Sequence, residues 1–326
     1  MILIKNGNLT YKKMFIQQAY KAKTDWWRYL IGILLVFFAV IVGQIPFGVA
    51  LFMELGFDVM GMDESQMLSV LEPNLSFFLL LLTYAAGLGG ILLVIRYLHE
   101  QPIIEATTTR KKMDWGRFFF GFSIIGIFLL VATVIDYNLR PEEFVWNFKP
   151  VPFLILAVIA IVMVPLQTSF EEYMFRGYLM QGLGILARNR WFPLLMTSVI
   201  FGSLHLANPE VKQMGYIIMI YYIGTGLLLG IMTLMDEGME LALGFHAGNN
   251  LIGALLVTAD WTAFQTHSIL KDISEPSGGM DIVLPIIIVY PIFLFLMAKK
   301  YNWTNWKERL FGRVHPPETL NVSEEI

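Results

Sequence analysis

The 326-residue chain has no cysteine, which excludes disulfides, thiolate nucleophiles and cysteine-ligated metals. Charge is scarce too. Charged residues make up 15% of the chain and hydrophobic residues 56%, where a soluble domain carries about 25% charged residues. That is too little polar surface to cover a fold in water, so a bilayer is the expected solvent. No Gly-rich phosphate loop, internal repeat, low-complexity block or H-E-x-x-H helix occurs. The first residues, MILIKNGNLTYKKMF, contain no long apolar run followed by a small-residue site, so no cleaved signal peptide is expected. The net charge of −3 says little, and no nucleic-acid partner is expected.

What the chain does have is apolar runs. Eight lie at about 29–51, 75–95, 118–135, 151–170, 191–207, 215–235, 239–258 and 281–298, several near the roughly 20 residues that cross a bilayer as a helix. The expected fold is all-α, a polytopic membrane helical bundle with about eight transmembrane helices. With the N-terminus inside, 19 of the 23 Lys and Arg fall on the inner side, leaving only Arg140, Lys149, Lys212 and Lys271 outside. That bias predicts an integral, multi-pass protein with both termini cytoplasmic.

The organisation follows from these runs. A basic N-terminal segment covers 1–28, in which residues 11–28 read either as an interfacial amphipathic helix or as a solvated basic tail. Helices 1–3 occupy 29–145, helices 4–7 occupy 146–260, and a loop with helix 8 occupies 261–300. A polar tail, 301–326, ends in PPETLNVSEEI and is expected to be disordered. The glycines of AAGLGG (85–90) and GTGLLLG (224–230) are expected to permit close helix packing.

Ionisable residues inside such runs cost about 2.5–3.5 kcal/mol at a helix centre and are functional candidates. Glu171, Glu172 and Arg176 fall in the fourth run, His205 in the fifth, and His246 and Asn250 in the seventh. Glu171 lies 17 residues before Arg188 and His205 lies 15 after Arg190. Both therefore sit roughly 22–26 Å from those basic anchors if the fourth helix continues past the glutamates. If it stops there, with Pro165, Gly177 and Gly182 as possible breaks, that match fails.

Glu172 and Arg176 share a helix face, as do His246 and Asn250. A carboxylate in a bundle can take a proton from water, and a histidine can share that water. A second histidine and an amide can steady an oxyanion. Each cluster also has a plainer reading: an ion pair ending a span for Glu171, Glu172 and Arg176, and a helix–helix hydrogen bond for either histidine. Gln167, Thr168 and Asn249 read as packing or supporting polar groups, and His99, His267 and His315 are assigned no role. The coincidence of three clusters on hydrophobic runs favours a site.

The three clusters resemble a known family. EEYMFR (Glu171–Arg176), FGSLH (Phe201–His205) and HAGNN (His246–Asn250) match the EExxxR, FxxxH and HxxxN motifs of the CPBP intramembrane proteases, in that order. The family, also called Abi, includes type II CAAX prenyl endopeptidases and bacteriocin-processing or self-immunity proteins. The resemblance covers about residues 150–260. It implies that Glu171 activates the hydrolytic water with help from His205, that Glu172 and Arg176 support the site, and that His246 and Asn250 stabilise the oxyanion. Members are often called metalloproteases, and Glu171, His205 and His246 have the chemistry to ligate Zn²⁺. A metal-free glutamate mechanism fits the same residues and is the preferred expectation.

The implied activity is hydrolysis of a peptide bond in a peptide or membrane-protein substrate, at a bacterial cell membrane whose lipids surround the protein. Two readings from other classes use the same residues: a proton- or ion-coupled transporter, and a non-catalytic immunity or scaffold protein.

Overall fold

The computed structural model describes residues 2–5, 8–11, 14–276 and 278–316. In hydrocarbon a chain must satisfy its own backbone hydrogen bonds, and helices do so within one segment. All eight apolar runs are accordingly helical. They form α1 (Trp26–Leu55), α2 (Pro73–Leu98), α3 (Trp115–Leu139), α4 (Pro150–Ala187), α5 (Trp191–Ser203), α6 (Ile218–Asp236), α7 (Glu240–Leu256) and α8 (Ile282–Tyr301). Helix starts follow local chemistry. Pro73 and Pro150 sit in the first turns of α2 and α4, and the Glu72 carboxylate accepts from the Leu75 N–H at 3.0 Å.

Six of the eight helices, all but α5 and α7, are long and apolar enough to cross a membrane. The chain is thus an integral, multi-pass membrane protein. Helix α5 has 13 residues and α7 has 17, roughly 20 and 26 Å of rise against about 30 Å of hydrocarbon. The expected count of eight spans therefore reduces to six by length. The two short helices are those that carry the FxxxH and HxxxN residues. By contrast, α4 has 38 residues, roughly 57 Å, and outruns the bilayer.

Helix α4 is the central element. It packs on α2 on one side and α7 on the other, α3 backs α7, and α5 pairs with α6. One core joins α3, α6, α7 and α8 through Ile125, Leu228, Met232, Leu241, Phe245 and Phe293; a second joins α2, α4 and α7 through Phe77, Leu81, Leu156, Ala160, Val164 and Leu251. The expected role of the glycines holds: Gly87 faces Phe170 and Gly226 faces Ser198.

Short strands accompany the bundle. β1 (Ile2–Lys5) and β2 (Asn8–Tyr11) pair antiparallel. At the other end, β3 (Phe144–Trp146), β4 (Val257–Thr258) and β5 (Leu270–Asp272) form a sheet in the order β3-β5-β4. Strand β4 follows α7 directly and so ties the end of that helix.

The end at which Phe15 and Val314 pack is knotted by charge. Asp236, at the α6–α7 turn, accepts from Arg117 at 2.6 Å, Arg110 at 2.8 Å and Trp303 at 3.1 Å. Glu237, held at φ 55°, accepts from Arg190 at 3.1 Å and from the Phe15 N–H at 2.6 Å. Phe15, Ile16 and Ala19 are buried, so this part of the N-terminal segment is core rather than a solvated tail or an interfacial helix. Part of the tail is ordered as well: Val314 donates to the Arg188 carbonyl at 3.0 Å. The disorder expected of PPETLNVSEEI falls, past Pro316, on residues 317–326, outside the described ones.

Helix α7 approaches α3 backbone to backbone, and a Cβ on Gly248 would meet the Phe122 carbonyl oxygen at 2.7 Å. Gly248→Val should therefore cost about 1–3 kcal/mol, read as a lower thermal unfolding midpoint in detergent. An unchanged midpoint would show that this contact is not close-packed.

Candidate active site

Helix α4 carries on past the glutamates, so they sit within the helix and not at its end. Two irregularities bracket them. Pro165 precedes them and removes one backbone donor, and a π-helical stretch, Tyr173–Leu179, follows. Such stretches occur often at functional sites because the extra residue re-aims the side chains beyond it.

Glu172 and Arg176 are both 0% exposed. Arg176 donates to Glu172 Oε1 at 2.9 Å and, through its other terminal nitrogen, to the Gly226 carbonyl at 3.0 Å. Its guanidinium also lies 4.7 Å from the Phe201 ring centroid. A buried ion needs such partners, because removing one leaves an uncompensated charge.

His246, 5% exposed, enters from α7 and sits between the carboxylates. Its Nδ1 is 2.8 Å from Glu172 Oε1, and its Nε2 is 3.4 Å from Glu171 Oε2. Glu171 Oε1 accepts from Gln167 at 2.8 Å, Gln167 Oε1 accepts from Asn250 at 3.0 Å, and Asn250 Oδ1 accepts from Asn249 at 3.0 Å. Glu171, Glu172, Arg176, His246 and Asn250 thus form one network.

His205 stands beside that network. It lies in the turn just past α5, where Nδ1 donates to the Phe201 carbonyl at 2.8 Å. A carbonyl only accepts, so Nδ1 carries a proton there, and Nε2 is the ring nitrogen left to face the site. The imidazole stacks on Tyr222, centroids 4.3 Å apart at 24°. The Phe201 ring separates the two histidines, 4.9 Å from His205 and 6.0 Å from His246. Among the described residues, the direct histidine neighbour of Glu171 is His246.

The Zn²⁺ set considered from sequence is not assembled. Among the described residues, no three His, Asp or Glu side chains are gathered to hold a metal ion. His246 has both nitrogens on carboxylates, and His205 has Nδ1 on its own helix.

Sequence reading alone did not find helix α6 in the site. Tyr222 and Gly226 share one face of it and hold His205 and Arg176 respectively. Gly226 acts through its carbonyl, which leaves no mark in sequence. Nor did that reading single out Glu210, in the α5–α6 connection. Its Oε1 accepts from the Ala263 N–H at 2.9 Å, and burial raises the pKa of its carboxyl above the usual carboxylate value.

Part of the chain is similar to known proteins. Residues 150–252 match the family described as type II CAAX prenyl endopeptidase Rce1-like, a span that contains all three motifs. Over residues 150–252 the chain is thus similar to the family that the three motifs resemble. The chain is also 31% identical over 188 residues to YyaK of Bacillus subtilis (strain 168), a protein described as uncharacterized. That alignment covers 57% of this chain and 63% of the relative. No solved structure matches the chain.

Arg176→Met strands Glu172 in the bundle and should destabilise by about 3–5 kcal/mol. The paired change Glu172→Met with Arg176→Met should recover part of that loss. Thermal unfolding in detergent measures both, and equal losses in the single and paired variants would refute a buried ion pair.

Proposed function

We propose that the protein is an intramembrane endopeptidase that hydrolyses a peptide bond with a water activated by Glu171. The carrying observation is the Glu171 carboxylate: 8% exposed, held at Oε1 by Gln167, and with a buried Oε2 that makes no hydrogen bond and faces His246. Glu171 Oε2 takes a proton from water as the water oxygen attacks the scissile carbonyl. The oxyanion is met by His246 and by the second amide hydrogen of Asn250, the first being given to Gln167. Collapse breaks the C–N bond, and the proton held by Glu171 passes to the leaving amine.

His205 assists through its Nε2, which meets the same water. Glu172 and Arg176 hold His246 and balance charge without touching the reacting atoms. The mechanism is metal-independent, so cleavage should survive a chelator. The basic bias supports a reading in which both termini face the cytoplasm, and the membrane assigned in this proposal is a bacterial cell membrane. The substrate is a membrane-associated protein or a peptide. The name of the matching family suggests a prenylated C-terminus as the first probe.

Purified protein in liposomes should cleave internally quenched peptides, with and without a farnesylated C-terminal cysteine. Glu171→Ala or His205→Ala should lower turnover by at least about 10²-fold with an unchanged unfolding midpoint. Full activity in both variants would sink the proposal.

A further inference from the structure

Position 167 lies in the run Val-Pro-Leu-Gln on α4, where a leucine would pack at no polar cost. Gln167 is 4% exposed, and burying an amide costs about 1–3 kcal/mol unless it is hydrogen-bonded. Both of its hydrogen bonds go to site residues. Its Nε2 donates to Glu171 Oε1 at 2.8 Å, and its Oε1 accepts from Asn250 at 3.0 Å.

The direction of these bonds is forced. A carboxylate only accepts, so the Gln167 NH₂ must face Glu171 and its oxygen must face α7. Asn250 must then turn its own NH₂ to Gln167 and its oxygen to Asn249, which donates at 3.0 Å. Three amides thus point their donors one way, towards a single carboxylate oxygen. The two oxygens of Glu171 become unlike: Oε1 is tied by the chain, while Oε2 is buried, makes no hydrogen bond and stands 3.4 Å from His246 Nε2.

We propose that Gln167 is a positioning residue that selects Oε2 of Glu171 as the base, and that Asn250 acts on Glu171 through it. This rests on the endopeptidase reading above. Without Gln167 the carboxylate is free to turn, and the water loses its fixed acceptor. Asn250 then has two functions on one amide: one hydrogen orients Gln167, and the other meets the oxyanion.

The test uses the full chain in liposomes with the quenched peptide library, comparing wild type, Gln167→Met, Asn250→Ala, the double variant and Glu171→Ala. Methionine keeps the length of the side chain without its hydrogen bonds. Gln167→Met should lower kcat about 10- to 100-fold with KM unchanged within about twofold, the mark of a group that acts only in the transition state. The double variant should lose less than the product of the two single losses, because either change frees the same oxygen.

Unchanged kcat in Gln167→Met, a rise in KM alone, or fully multiplicative losses would overturn the positioning role while wild-type cleavage still supports the endopeptidase. Failure of the wild type to cleave above Glu171→Ala would overturn the endopeptidase reading and this inference with it.

Discussion

Charge buried in a bilayer has to be neutralised within the bundle, and that one constraint organises this molecule. Glu172 and Arg176 have no water to fall back on, so three helices contribute partners: the Arg176–Glu172 bond within α4, the Gly226 carbonyl from α6, and His246 from α7. The ion pair therefore sets the relative positions of three elements as well as lying between them. A site built this way is rigid at its base, because moving any one helix strands a charge.

The opposite virtue, local irregularity, sits next to that rigid base. Pro165 and the π-helical stretch Tyr173–Leu179 flank the glutamates, α5 ends before His205, and α7 gives way to β4 soon after Asn250. Regular helices would present these groups at fixed intervals on separate faces. Broken regularity, supported by packed neighbours, lets a carboxylate, an imidazole and an amide converge. The charge knot at Asp236 and Glu237 and the small sheet at the other end clamp α7 on both sides of this region.

Much of the fold was legible as a pattern of apolar runs, since hydrophobic length alone locates helices in a bilayer. All eight runs are helices, but at 13 and 17 residues α5 and α7 fall short of the length that marks the other six as candidate spans. In those two, the residues after the helix remain apolar, as at Leu204 and Leu206, while the backbone has already turned. Composition cannot register that change. Phe15 and Ile16 stand in a basic segment whose composition reads as surface, yet both are buried, and Ile16 fills a gap beside α4 where Gly184 gives the room.

The sequence by itself determined a polytopic helical membrane protein and the cast of the candidate site. Charges are rare enough in these runs that Glu171, Glu172, Arg176, His205, His246 and Asn250 stand out by expense alone. Spacing also made the Glu172–Arg176 bond foreseeable, because residues four apart share a helix face. Only the tertiary structure decided who meets whom. It brought His246 rather than His205 to the glutamates, ran α4 on past them, and joined Asn250 to Glu171 through Gln167. Those pairings depend on how helices distant in sequence rotate and cross, which is set by close packing at glycines and aromatic rings and by the need to pair every buried charge.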